Sequence, residues 1–357
     1  MPKDHPRYVL YLAVLPAYRT ACMHEVVSRL HADVALFASP AHLDQSVTSG
    51  IERSLYTDVA MCRLGGKAFL QLGHWREAIG AATTILDLNP RSISAWALLV
   101  IRKLMGRRTL LWGHLHGQAG PDSRTAGLRH QMRALGDGFV AYTYTTGEIA
   151  RTELPDQNVG VAPNSLFSIE QLSTEAGMSD RNDVVYVGRF EAAKKVQVGV
   201  EAFADVHRIQ PKVRLVLVGG GADEPQLRAL VSRLGLEDSV VFRGWINDVD
   251  ELRTIYSSAF CSLATGFIGL GVTQSLGFGV PQLASRDEPH SPEVELASTG
   301  GVTYFKTDDP HDLAARILEA FEGRNVLPNA AYVREVKERY STDTMAEGIE
   351  SALRGVI

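Results

Sequence analysis

Short apolar runs of strand length recur along the chain, separated by segments whose apolar residues return every three or four positions. Tyr8–Leu15 is an unbroken run that predicts a buried strand, followed by the loop Pro16-Ala17-Tyr18-Arg19. A helix is predicted over Ala21–Leu30 and a strand over Asp33–Ala38, whereas residues 41–66 show no settled period. Further on, the pattern predicts a strand ending at Leu88, the turn Asn89-Pro90-Arg91, and a helix Ser92–Met105 with Ser92 as N-cap. The strand Thr109–Trp112 leads into Gly113-His114-Leu115-His116-Gly117. An amphipathic basic helix Arg124–Ala134, a strand Phe139–Thr143, a helix Thr146–Leu154 and a strand Val159–Ala162 complete this half.

Residues 168–182, rich in Ser, Thr, Glu, Gly, Asp and Asn, read as a linker. Beyond them the alternation is cleaner. Strands are predicted at Val184–Val187, Arg214–Val218, Val240–Phe242 and Ala259–Ala264, with helices at Val196 to about Ile209, Glu224–Leu234 and Leu252–Ser258. The stretch Thr265–Glu295 reads TGFIGLGVTQSLGFGVPQLASRDEPHSPEVE. It opens with the spaced glycines Gly266, Gly269 and Gly271, continues into a helix Val272–Phe278 stopped by Gly279, and then a strand Val280–Ala284. Strands alternating with helices predict an α/β protein with parallel sheets and right-handed crossovers. The length suits two doubly wound domains facing across a cleft, with boundaries at 1–167, 168–182, 183–335 and 336–357. The final helix, Asp343–Leu353, has no strand after it and is expected to cross back to the first domain. Leu72–Trp96 looks like one tetratricopeptide repeat, but a solenoid needs about three and no second copy is present.

With 45% hydrophobic and 22% charged residues the chain is of ordinary globular composition, and a net charge of −5 argues against general nucleic-acid binding. Charge is uneven: residues 1–165 hold 17 Lys+Arg against 13 Asp+Glu, and the remainder 19 against 28. The basic segments Arg102–Arg108 and Arg124–Arg133 read as solvated helix faces, or alternatively as a peripheral contact with an anionic membrane. Three scattered cysteines, Cys22, Cys62 and Cys261, point to a reducing, cytoplasmic setting without structural zinc. The start imitates a secretory leader, but its apolar run is only strand length and Pro16 breaks it, so a first strand is expected instead.

Two features carry chemistry. Glycines at a strand-to-helix turn let backbone approach a ligand, and amides at a helix N-terminus attract phosphate. Arg189 and Lys194 share one strand-to-helix loop, where they would neutralise a diphosphate or simply be solvated. No Asp-x-Asp stands at a strand end; Asp248-Val249-Asp250 reads as a helix start, so no metal is expected.

Four blocks stand in register: VGRFEAAKK (187–195), LVLVGGGADEPQLRALVSRLGL (215–236), VVFRGWINDVDELRTIYSSAFCSLA (240–264) and GFIGLGVTQSLGFGVPQLAS (266–285). Together they resemble glycosyltransferase family 4 (glycosyl transferases group 1), retaining nucleotide-sugar enzymes of the GT-B architecture, with two Rossmann-like domains and an acceptor-side first domain. The resemblance implies that Arg189 and Lys194, at the G-R-x-x-x-x-K positions, meet the leaving diphosphate. It implies donor contacts at Gly188, Gly220, Trp245, Ile246, Gly266, Phe267, Ile268, Gly269, Leu270 and Gln274. His114 falls where the family places a histidine near donor sugar and acceptor, with His116 as the spare, and Tyr18 and Arg19 fall where donor phosphate or acceptor is met.

The chain departs from the family's glutamate pair, whose positions hold Gly266 and Gln274. Gln274 can still bond ribose hydroxyls as an amide; Gly266 cannot replace a carboxylate. A later His290-Ser291-Pro292-Glu293-Val294-Glu295 is expected either to supply the missing polar groups from His290, Glu293 and Glu295 or to act as a structural cap. Lys195 stands where the family has glycine, a change expected to lie at the surface. The implied activity is retaining transfer from a UDP- or GDP-sugar to a hydroxyl of a saccharide, lipid-linked or natural-product acceptor, with no further cofactor. The alternatives are a non-catalytic nucleotide-sugar-binding protein and another GT-B reaction, such as a sugar-nucleotide epimerase or a phosphorylase.

Overall fold

The unbroken apolar runs become parallel strands buried on both faces, as they must be when helices cover both sides of a sheet. The computed structural model describes residues 6–43, 48–117, 120, 122–172 and 180–357. It divides into two units, Met1–Ser168 with Tyr340–Ile357, and Ile169–Arg339. Part of the expected linker, 173–179, lies outside the described residues. Its flanks are packed into the second unit: Leu172 is buried against Gly277, and the buried Arg181 donates to the carbonyls of Tyr256 and Ala259 at 2.9 and 2.6 Å.

The first unit holds β1 (Tyr8–Leu12), β2 (Val34–Ala38), β3 (Thr57–Asp58), β4 (Ala60–Leu64), β5 (Ala68–Leu72), β6 (Thr83–Asp87), β7 (Arg108–Gly113), β8 (Gly138–Ala141) and β9 (Asn158–Val161). Seven of these form a parallel sheet in the order β3-β2-β1-β6-β7-β8-β9, while β4 and β5 make a separate antiparallel hairpin. The leader-like run Tyr8–Leu12 is thus an interior strand, paired on both sides with register Tyr8↔Val34 and Tyr8↔Thr83. The stretch that resembles a tetratricopeptide repeat is β5, a short helix Trp75–Gly80, β6 and a helix Ile93–Leu104. Ser92 caps that last helix by accepting the Ala95 amide at 3.1 Å.

Part of each basic segment faces inward. Arg102 is fully buried, and its guanidinium donates to the carbonyls of Ala78, Ile79, Ala81 and Arg108 at 2.6 to 3.0 Å. It thereby serves carbonyls at the end of the Trp75–Gly80 helix, that of Ala78 jointly with the Thr84 hydroxyl. Arg133 is also fully buried, pairs with Glu153 and donates to the Ala150 carbonyl at 2.8 Å. Arg108 reaches the Ala352 carbonyl at 2.6 Å. Lys103, Arg107 and Arg124 remain exposed, so the inward arginines are structural donors rather than a solvated or membrane-facing surface.

The chain returns to the first unit at Tyr340. The helix Thr342–Arg354 buries Met345, Ala346, Ile349, Ala352 and Leu353 in the same core as Leu10, Met23 and Val140. A β-carbon on Gly348 would stand 2.2 Å from the Val161 carbonyl oxygen, so helix and strand meet backbone to backbone there.

The second unit holds β10 (Asp183–Arg189), β11 (Arg214–Gly220), β12 (Val240–Gly244), β13 (Ala259–Ala264), β14 (Gln282–Ser285) and β15 (Val302–Phe305). Its parallel sheet runs β12-β11-β10-β13-β14-β15. Asp248 caps the helix Val249–Ser258 by accepting the Glu251 amide at 2.9 Å, which gives its acidic triplet a structural use.

Candidate functional site

In each unit the strand order reverses beside the central strand, the place where loops of neighbouring strands diverge and open α/β sheets take their ligands. In the first unit the reversal lies between β1 and β6. A cavity of about 300 Å³ lies there, with Tyr18, Arg19, Asp87, Trp112, His114, Arg129, Tyr142 and Asn164 in its wall. Tyr18 and Arg19 belong to the turn Ala17–Arg19 after β1, Asp87 ends β6, His114 follows β7 and Tyr142 follows β8.

Arg19 is 6% exposed. Its guanidinium carbon lies 4.4 Å from the Trp112 ring centroid and 5.3 Å from that of Tyr142, and one terminal nitrogen donates to the Tyr142 hydroxyl at 2.7 Å. Arg129 donates to the carbonyls of Leu88 and His114 at 2.7 and 2.8 Å. The Asp87 carboxylate accepts the Ala13 amide, and burial raises its pKa to about 6 against the pull of that amide and of Arg19. The His114 ring meets Tyr142 edge-on at 4.8 Å. Although the residue is exposed, desolvation by the cavity wall and the charges of Arg129 and Arg19 lower its pKa to about 4, leaving a neutral imidazole.

Tyr18, Arg19 and His114 are thus brought together. His116 is not: β7 stops at Gly113, and the His116 ring turns to Glu153 at 3.4 Å, in a second cavity shared with His130 and Arg133. Asp87, Arg129 and Tyr142 were missed by the sequence reading. Asp87 did leave a signal, a single charge inside the apolar run Ile85-Leu86-Asp87-Leu88.

In the second unit the reversal lies between β10 and β13. Arg189 ends β10, the loop after it carries Lys194, and the loop after β13 carries Gly266–Leu270. The Thr265 hydroxyl donates to the Lys194 carbonyl at 2.7 Å, which locks the two loops together. A β-carbon on Gly266 would lie 2.1 Å from the Ala193 carbonyl oxygen and 2.9 Å from the Lys194 Cα. No side chain fits there, so the missing carboxylate is a consequence of loop packing.

The Lys194 ammonium sits 3.3 Å from the Phe267 ring centroid and donates to the Phe267 carbonyl at 3.1 Å. Among the described residues no carboxylate lies within 4 Å of it. Burial, with Arg189 adding, lowers its pKa to about 8. Arg189 is half-exposed and paired with Glu191 at 2.9 Å, a partner not foreseen. Lys195 occupies the left-handed region (φ 49°, ψ 39°), where glycine is at ease, and ion pairs to Glu288 and Asp308 at 2.7 and 2.8 Å hold it there. The position is therefore more than a surface change.

His290 accepts the Ile268 amide through Nδ1 at 3.0 Å, and the Ser291 amide donates to the Ile268 carbonyl at 2.9 Å. That leaves the proton of the neutral ring on Nε2, which is buried without a partner. His290 thus fastens the glycine loop, the role of a cap. Glu293 is buried at 1% exposure, and Glu295 is half-buried. Gln274, in the helix Gly271–Gly277, is buried with its amide nitrogen unpartnered. Gly188, next to last in β10, is in register with Gly219, and the exposed Trp245 indole lies against Gly220, with Ile246 half-buried beside it in sequence.

Among the described residues no group of three or more His, Cys, Asp or Glu is placed to hold a metal, and no helix is long and apolar enough to cross a membrane.

Residues 169–352 match the family model described as "Glycosyl transferases group 1". The alpha-monoglucosyldiacylglycerol synthase of Streptococcus pneumoniae is 31% identical over 157 residues, covering 43% of this chain and 34% of that one. The alpha-D-kanosaminyltransferase of Streptomyces kanamyceticus is 26% identical over 190 residues, covering 52% and 49%. The chain thus spans between a third and a half of the length of these curated relatives. The Anabaena protein HepE, solved in complex with UDP, superposes with a TM-score of 0.69 at 14% identity, covering 98% of this chain and 100% of that one. At that identity the likeness is one of fold.

Proposed function

This chain belongs to the glycosyl transferases group 1 family, whose members use nucleotide-sugar donors, and from that premise we propose that it transfers a sugar from a UDP- or GDP-sugar to an acceptor hydroxyl with retention of configuration. The observation that carries this reading is Lys194, a half-buried ammonium without a carboxylate partner, held by a ring face and a carbonyl at the strand-order reversal. A dianionic diphosphate is the partner such a cation lacks.

As the bond between the anomeric carbon and the phosphate oxygen breaks, its electron pair goes to that oxygen. Lys194, and Arg189 once released from Glu191, stabilise the growing charge, and Gln274 holds the ribose. The acceptor oxygen enters on the same face and passes its proton to the departing oxygen. No carboxylate nucleophile is needed, which suits a loop whose packing excludes a side chain at Gly266. The two cations take the charge a metal would otherwise take, so the reaction is metal-independent.

Thermal shift with UDP, GDP, ADP and dTDP in the presence of EDTA tests the donor site. One nucleotide should raise the Tm of the wild type and not that of Arg189→Ala/Lys194→Ala. A shift that survives the double substitution would move the diphosphate elsewhere.

A further inference from the structure

The first-unit cavity has a charge imbalance that its own structure does not resolve. Two guanidiniums, Arg19 and Arg129, stand in its wall with one carboxylate, Asp87. Among the described residues neither guanidinium has a carboxylate within 4 Å. Arg19 is more than nine-tenths buried, and its Nε has no hydrogen-bond partner; nor has the Arg129 Nε or the indole nitrogen of Trp112. Unpaired buried charge is costly, and proteins retain it where a ligand completes it. Here the guanidinium is held in place beforehand by the Trp112 and Tyr142 rings and the Tyr142 hydroxyl, and the Asp87 carboxylate acts on it only through space, without an ion-pair contact.

We propose that this cavity takes an acceptor bearing an acidic group, a carboxylate or phosphate, seated against the Arg19 guanidinium, with Asp87 and His114 left to accept hydrogen bonds from its hydroxyls. The proposal rests on the transferase reading, in which the donor's diphosphate belongs to Arg189 and Lys194. The cavity's volume of about 300 Å³ is at the small end of ligand pockets and suits one small acidic unit rather than a long chain.

The same chemistry could come from the donor's diphosphate, and the experiment separates the two. Calorimetric titration compares glucuronate with glucose and glycerol 3-phosphate with glycerol, on wild type, Arg19→Gln and Arg189→Ala/Lys194→Ala. The acidic member of each pair should bind at least tenfold more tightly in the wild type and in the donor-site double variant. In Arg19→Gln the ratio should fall to within about twofold. Equal binding within each wild-type pair overturns the proposal, as does a preference lost in the double variant but kept in Arg19→Gln. If Arg19→Gln does not fold, the wild-type and double-variant ratios decide. A parallel titration with UDP and GDP reports on the donor reading, so either can fail without the other.

Discussion

At the scale of single residues, the second-unit site is defined by what its loops exclude and leave unpaired. Lys194 has a pKa of about 8, lowered by burial and by Arg189, so the free enzyme loses this charge as pH rises through that value. The donor's kcat/KM should therefore fall on the alkaline side of about pH 8, and Lys194→Arg should move that limb beyond the accessible range. An unchanged limb in Lys194→Arg would mean another group titrates. Gly266 gives the opposite kind of prediction. Restoring the family's carboxylate with Gly266→Glu should not improve activity. The new β-carbon, like that of Gly266→Ala, meets the Ala193 carbonyl and pushes the loop that carries Lys194. The cost is about 1–3 kcal/mol, roughly 3–10 °C in Tm by thermal denaturation. Retention of the wild-type Tm by Gly266→Glu would sink the packing argument. Sequence shows a glycine in a carboxylate's place, but not why: Ala193 and Gly266 meet only after β10 and β13 have paired.

At the scale of elements, alternation of strand and helix was legible because each βα unit of the second half is local. Its glycine turns and apolar runs name themselves within thirty residues. The buried arginines were not legible, because a guanidinium that feeds carbonyls looks in sequence like one that faces water. Arg102 shows the difference. Arg102→Met keeps the stem and removes the donors, leaving the Ala81 carbonyl without the guanidinium and the Ala78 carbonyl with the Thr84 hydroxyl alone. The expected loss is roughly 3–5 kcal/mol, against near zero for a solvated arginine. Urea denaturation decides between them. The first-unit cavity was only partly legible for a related reason. Its wall comes from the segments after β1, β2, β6, β7, β8 and β9 and from a helix that carries Arg129, so its members lie scattered between Ala13 and Asn164. Each loop looks ordinary until the strand order puts them side by side.

At the scale of the whole molecule, the two units differ in how they are made from the chain. The second is one continuous segment. The first needs Thr342–Arg354, whose Met345, Ile349 and Leu353 are buried in its core. Full burial of three such side chains contributes about 5–9 kcal/mol, comparable with the entire stability of a typical domain. A chain ending at Arg339 should therefore show a cooperative second unit and a first unit digested rapidly in limited proteolysis, while residues 169–339 alone should resist digestion. A protease-resistant first unit in the shortened chain would show that the returning helix is dispensable.

That return also sets an order of events during synthesis. The residues up to Ser168 leave the ribosome first, yet their core stays open until Thr342–Arg354 follows them out. At 5–20 residues per second the delay is about 10–40 s, long enough for the second unit to fold in the interval. Through that time the nascent sheet shows an apolar face that chaperones can hold. A product that stops before that helix should therefore carry a first unit whose apolar face stays uncovered, however completely its second unit folds.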